Sequence, residues 1–182
     1  MAIYIIIVIS IAILLLCISS YNGLIQVEEN IKKALANIDV LLMQRSDELP
    51  KLVDTVKAFV SHEKEIFANV LKARETMLSA KTITEKAQAS GGISNALKSI
   101  FALSEDYPDL GSNENFMKLQ GRISDLENSI ADRREFYNES VNNYNIRIKT
   151  IPDVLIARIM NLSAKEMFQV SDEKKEDVKI DL

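Results

Sequence analysis

The chain has one histidine, His62, and it is followed by Glu63. Those two residue types open the zinc-peptidase helix motif. That motif needs a second imidazole one turn on, so that two rings share a helix face. Position 66 is Ile, and the only Cys is Cys17, so neither a second ligand nor an intrachain disulfide is available. His62 therefore reads as a capped or partly buried helix residue, and no metal is expected. Nucleophilic chemistry lacks its motif as well: there is no G-x-S-x-G. Gly91-Gly92 has neither the strand nor the Lys of a phosphate-cradling loop. The carboxylate pairs Glu28/Glu29 and Glu63/Glu65 are one and two residues apart, spacings that do not share a helix face. Catalytic residues, cofactor-binding residues, cofactors and a small-molecule substrate are accordingly not expected.

The more informative polar residues sit on an apolar stripe: Arg45, Glu63, Arg133, Asn138 and Asn145. A charge on such a seam is costly unless paired. Interhelical ion pairs that set register are the favoured reading, and a polar groove for a partner is the other. Tyr137 and Tyr144 stand one heptad apart and read as core residues whose hydroxyls find partners. Stacking on nucleic acid would need dense basic neighbours, and only Arg147 and Lys149 follow. The net charge of −4 supplies no global basic field, so no nucleic acid is expected.

These side chains must be carried by helices. Leu24, Val27, Ile31, Ala34, Ile38, Leu41 and Arg45 step by 3 or 4, as do Leu49, Leu52, Val56, Phe59, Glu63, Ile66, Val70, Ala73 and Met77. A third series runs from Phe116 through Ile123, Ile130, Tyr137, Val141 and Tyr144 to Ile151. Such spacing gives one apolar stripe per helix. With only 5 Gly and 3 Pro, turns are few and helices long. Asp47-Glu48-Leu49-Pro50, Gly91-Gly92, Tyr107–Gly111 and Pro152 are the predicted breaks, with Ser112 or Asn113 capping the last long helix. The predicted helices end near Ser46 and then cover about 50–80, 93–106 and 113–150. Short connections favour antiparallel neighbours, hence an up-and-down four-helix bundle. At Pro50 a hairpin is preferred to a kinked single rod, because a lone rod would lack partners for its stripe. With a hairpin, the last long helix returns toward the start of the chain. The apolar patch Val154–Ile156, Ile159, Met160 and Leu162 is then either a lid on the bundle, the preferred reading, or a contact with the membrane.

Charge is distributed very unevenly. All 22 Lys and Arg and all 26 Asp and Glu lie at or after Glu28. Ile3 to Ile18 is aliphatic except for Tyr4, Ser10 and Cys17. Ala2 to Ser20 is close to the ~20 residues a helix needs to cross a bilayer. A cleaved signal peptide would carry a basic n-region and a small-x-small site; neither is convincing here. A lipoprotein reading fails because Leu16, before Cys17, is not small. An uncleaved span is expected. Lys32 and Lys33 follow it and no basic residue precedes it, which favours a cell-membrane protein with its N-terminus outside and its body cytoplasmic.

Several strings carry a family likeness. They are Tyr21-Asn22 after the lone span; Ile38-Asp39-Val40, Arg45, Asp47, Leu49-Pro50 and Leu52-Val53; and His62-Glu63-Lys64 with Ala73-Arg74. The most specific is Glu105-x-Tyr107-Pro108-Asp109-Leu110 with Asn113-x-Asn115-Phe116-x-x-Leu119-Gln120. Phe136-Tyr137-Asn138, Val141, Tyr144-Asn145 and Arg147-Ile148 complete the set. In this order, from Tyr21 to Phe168, the chain resembles the LemA family, departing from it at Ala58 where Gly is usual. The resemblance implies a single N-terminal span, an all-α four-helix body facing the cytoplasm, and no established enzyme activity. The expected organisation is a transmembrane anchor over 1–20, a LemA-like helical bundle over 21–168, and a charged flexible tail over 169–182. The expected function is a non-enzymatic interaction or scaffold protein at the membrane surface, with a protein partner or self-association. The alternative is a membrane-associated enzyme or an accessory subunit of one.

Overall fold

A computed structural model describes residues 1–60 and 62–169. Among these the protein is all-α. Its helices are α1 (Ala2–Lys57), α2 (Lys64–Ser79), α3 (Ile83–Asp106), α4 (Pro108–Gly111), α5 (Glu114–Arg147) and α6 (Asp153–Ile159). The charged tail expected over 169–182 lies, apart from Gln169, outside the described residues.

The break predicted at Pro50 is not there: α1 runs through it for 56 residues. A proline inside a helix leaves the carbonyl four residues back without its donor. Here that carbonyl belongs to Ser46, and the Arg74 Nε of α2 donates to it at 3.2 Å. Leu49, Leu52, Val53 and Val56 around the proline are fully buried, so packing holds the helix together. The chain reverses instead after Lys57, where Phe59 and Val60 N–H both donate to Val56 O. No glycine or proline marks that turn.

The second predicted break also moves. Gly91-Gly92 lies inside α3, not before it. The helix starts eight residues earlier than Gly91, at a capping box: Thr82 Oγ1 accepts from Glu85 N–H at 3.1 Å, and the Glu85 carboxylate accepts from Thr82 N–H at 3.0 Å. The backbone N–H groups of Thr82 and Lys81, both donating to the Glu85 carboxylate, hold it below its usual pKa. Buried Ala87, Ala89, Ile93, Leu97 and Ile100 carry the helix across the glycines. The Tyr107–Gly111 turn contains the single-turn α4, and Asn113 Oδ1 accepts from Phe116 N–H at 3.0 Å, capping α5. α5 ends at Arg147, five residues ahead of Pro152.

The chain divides into two compact units. One is built on Leu42–Glu127 and is an antiparallel four-helix bundle, as cross-helix pairs show. Lys57 Nζ lies over the Phe67 ring while Asp47 pairs with Arg74, so α1 and α2 run oppositely. Ser94 meets Glu127 while the Phe101 and Phe116 rings meet edge-on, so α3 and α5 do the same. Arg45 reaches Glu127 while Glu48 reaches Arg122, closing α1 against α5. The expected up-and-down order is therefore present, with its first reversal after Lys57 rather than at Pro50.

The other unit joins Met1–Leu41 with Asn128–Met167. Leu24, Ile31, Ala34 and Ile38 of α1, and Ile130, Tyr137, Val141 and Tyr144 of α5, are among its buried residues. α6 ends in a Schellman turn: Leu162 N–H donates to Ala157 O, Asn161 N–H donates to Arg158 O, and Asn161 takes φ 53°. The chain then continues without helix through Met167.

Candidate functional site

Two buried polar knots and one exposed apolar face stand out. The first knot is in the Leu42–Glu127 unit. Arg45 is only 2% exposed. Its Nη2 donates to Ser90 Oγ at 2.7 Å and to Ser90 O at 3.2 Å; its Nη1 donates to Ser94 Oγ and Glu127 Oε1, both at 3.2 Å. Ser94 Oγ also donates to that Glu127 oxygen at 2.9 Å. A guanidinium fork is suited to this, since its donors point in fixed, divergent directions. One turn away, the buried Glu48 carboxylate accepts from Lys51 at 3.2 Å and pairs with Arg122 at 3.1 Å. Arg45 thus has the interhelical pairing expected of a charge on the stripe, joining α1, α3 and α5.

The second knot is in the Met1–Leu41/Asn128–Met167 unit. Arg147 Nε donates to Asp153 Oδ2 at 2.6 Å, and Nη1 donates to Gly23 O at 3.1 Å. The hydroxyl of Ser20 also hydrogen-bonds to Asp153. Burial pushes the Asp153 carboxyl up. The hydrogen bonds from Arg147 and Ser20 and the guanidinium charge outweigh it and hold the group below its usual value. Gly23 has a steric role: a Cβ there would stand 2.6 Å from Arg147 Nη2. The knot ties the start of α6 and the end of α5 to α1 at Ser20 and Gly23, just after its aliphatic run Ile3–Ile18.

The segment following α6 is laced to α5. Asn145 Nδ2 donates to Lys165 O and Lys165 N–H donates to Asn145 Oδ1, both at 2.9 Å. Tyr137 Oη donates to Glu166 O at 2.9 Å. Lys165 Nζ pairs with Glu28 at 3.1 Å and lies 5.3 Å from the Tyr144 ring centre. Burial, with Glu166 adding to it at Tyr137 and Glu28 at Tyr144, raises both tyrosine pKa values. The two tyrosines are core residues as the heptad spacing predicted, and Asn145 is on the seam for a specific contact.

Other predictions need correction. Arg133 is exposed, because α5 turns that position away from its packed face. Glu63 is the residue before α2, not a member of a stripe. His62 is exposed in the same turn, neither capped nor half-buried. Cys17 is exposed too. These residues are not brought together. Sequence reasoning missed Glu48, Ser20, Gly23 and Asp153. A signal existed for Gly23: a glycine inside a strongly helical run has low propensity and often marks a close approach.

The exposed face belongs to α6. Leu155 is 59% and Ile159 81% exposed, four apart on one side of the helix, and Ile151, two residues ahead of it, is 85% exposed. Leu155, with Pro152 and Ile156, also borders a crevice of about 190 Å³ against Ile13, Leu16 and Cys17 of α1. A second, larger cleft of about 380 Å³ lies between α2 and α3, walled by Ala73, Thr76, Lys81, Glu85 and Gly92. Along α1, Ile3 to Ile18 are exposed without exception, and this is a helix long and apolar enough to cross a membrane.

The LemA family pattern matches residues 34–182. Two proteins of Paramagnetospirillum magneticum, magnetosome proteins MamQ 1 and MamQ 2, are each 36% identical over 81 residues, covering 44% of this chain and 30% of the relative. Magnetosome protein MamQ of Magnetospirillum gryphiswaldense is 24% identical over 174 residues, covering 81% of this chain and 64% of that protein. The match therefore spans about a third of the first two relatives and under two thirds of the third.

Proposed function

Since the chain belongs to the LemA family, we propose that it is a membrane-anchored helical scaffold that works through protein–protein contacts at the membrane surface, without catalysis. The observation that carries this reading is in α1. Within one compact unit, the same helix bears the exposed apolar run Ile3–Ile18 and, from Leu24 to Ile38, the buried stripe. No linker separates anchor from body. Exposed aliphatic side chains over roughly four turns are unfavourable in water, at about 25 cal/mol per Å², and favourable in lipid. The buried Arg45 and the part-buried Arg147 are each engaged in pairs between helices. We take the three-part organisation, anchor over 1–20, bundle over 21–168 and tail over 169–182, as part of this proposal. Lys32 and Lys33 favour a cytoplasmic body and an outside N-terminus.

The test is proximity labelling in the native membrane from an enzyme fused to the C-terminus, combined with carbonate washing. Retention of the full chain in the washed membrane, with labelling of cytoplasmic proteins and a reproducible set of neighbours, is the expected result. Release by carbonate would sink the anchor. Labelling of extracytoplasmic proteins would reverse the orientation.

A further inference from the structure

We propose that α6 is a second membrane contact: a short helix that lies in the body-side leaflet beside the span, with Ile151, Leu155 and Ile159 among the acyl chains. This rests on the reading of α1 as a span.

The argument is one of continuity. Pro152, Leu155 and Ile156 pack around the same crevice as Ile13, Leu16 and Cys17. Those three α1 residues belong to the final turns of the apolar run. From Ile13 to Ser20 the helix rises about 10 Å. A bilayer that covers this part of α1 also covers what lies against it. Interfacial helices seat their apolar faces about 5–10 Å below the headgroup boundary, the same range.

The side chains of α6 are sorted accordingly. Its outward stripe is aliphatic and the most exposed in the unit's C-terminal part. A stripe of this kind needs a cover. Its one carboxylate, Asp153, is turned inward and neutralised by Arg147, so no free negative charge enters the lipid. Arg158, in the last turn, is exposed and long enough to reach headgroup phosphates from an apolar stem. The Arg147–Asp153–Ser20 knot fixes α6 at this level on α1.

The chain has no tryptophan, so a single one is a clean probe. Full-length Leu155→Trp, Leu14→Trp and Ala36→Trp variants are reconstituted in phosphatidylcholine–phosphatidylglycerol vesicles whose acyl chains carry bromine. Leu14 is within the span, and Ala36 is exposed on α1, about 24 Å beyond Ser20. The expected result is blue-shifted emission at position 155, quenched to at least about half the extent seen at position 14, with position 36 unquenched. If position 14 is unquenched, the span itself fails and the proposal with it. If position 14 is quenched and 155 emits as in water, the span stands and the proposal falls. Blue-shifted but unquenched emission at 155 that depends on protein concentration identifies a second copy as the cover and overturns it as well. Equal quenching at all three positions means adsorption of the whole body, and also overturns it.

Discussion

Arg45 and Arg147 do similar work by different means. Arg45 is buried and answers two serines and Glu127 on two other helices. Glu127 keeps about a third of its side chain in water, so removing the arginine does not strand a fully buried charge. Arg45→Leu refills the volume but leaves Ser90 and Glu127 short of a donor. The expected loss is about 2 kcal/mol, below the ~3–5 of a fully buried pair. Thermal unfolding in detergent micelles should show it as a melting point lower by about 4–8 °C. A more stable variant that has lost its partners would instead assign Arg45 to binding. Asp153 gives a pH signature. Its carboxyl is held below its usual value, so its pair with Arg147 contributes fully above the ordinary carboxylate range. That contribution is lost as pH falls through the lower folded-state value. Acid titration of stability should therefore steepen below the usual aspartate range, and Asp153→Asn should remove that component. An unchanged profile in the variant would refute the assignment.

At the scale of elements, propensity and packing disagree in two places, and packing wins in both. Pro50 fails to end α1 because Arg74 takes over the orphaned carbonyl and four buried aliphatic neighbours hold the helix. Gly91-Gly92 fails to end the polar stretch because the Thr82–Glu85 capping box starts α3 earlier. The glycines then cost helix stability without a steric need at position 92, where a Cβ would meet nothing within 4 Å. Gly92→Ala is expected to stabilise the protein by about 0.5–1 kcal/mol, a rise of a few degrees in melting point. No gain would imply that the cleft beside Gly92 needs its backbone bare, as for an incoming helix. Gly23→Ala is the contrasting case, because the guanidinium of Arg147 already fills the space. A glycine's meaning depends on what faces it, and a sequence does not print that.

For the whole molecule, the governing fact is the segregation of charge. No charged residue precedes Glu28, and the exposed apolar run of α1 lies within that segment. Removing Ala2–Ser20 should release the chain from washed membranes while leaving the helical circular-dichroism signal of the body. If α6 also binds lipid, the truncated chain should still float partially with anionic vesicles. Complete loss of binding would confine membrane contact to α1, and a collapse of the helical signal would show that the body depends on its anchor.

Much of this was legible in the residues alone. The 3/4 stepping of Leu24–Ile38 and Phe116–Tyr144 dictates helices with one buried stripe, since only a 3.6-residue period places those side chains on one face. The uncharged run dictates a segment suited to lipid, and strings such as Glu105-x-Tyr107-Pro108-Asp109-Leu110 point to the LemA family. What the tertiary structure alone decided is which polar residues meet. Ser20, Gly23, Arg147 and Asp153 come from separate stretches of chain, and Ser46 finds Arg74 across a turn without glycine or proline. Local periodicity reports which face is buried. It carries no information about the partner on the opposite face, because that partner is chosen by the register in which helices pack. Whether Pro50 breaks a helix, whether Arg133 is buried, and where α6 comes to rest all depend on that register.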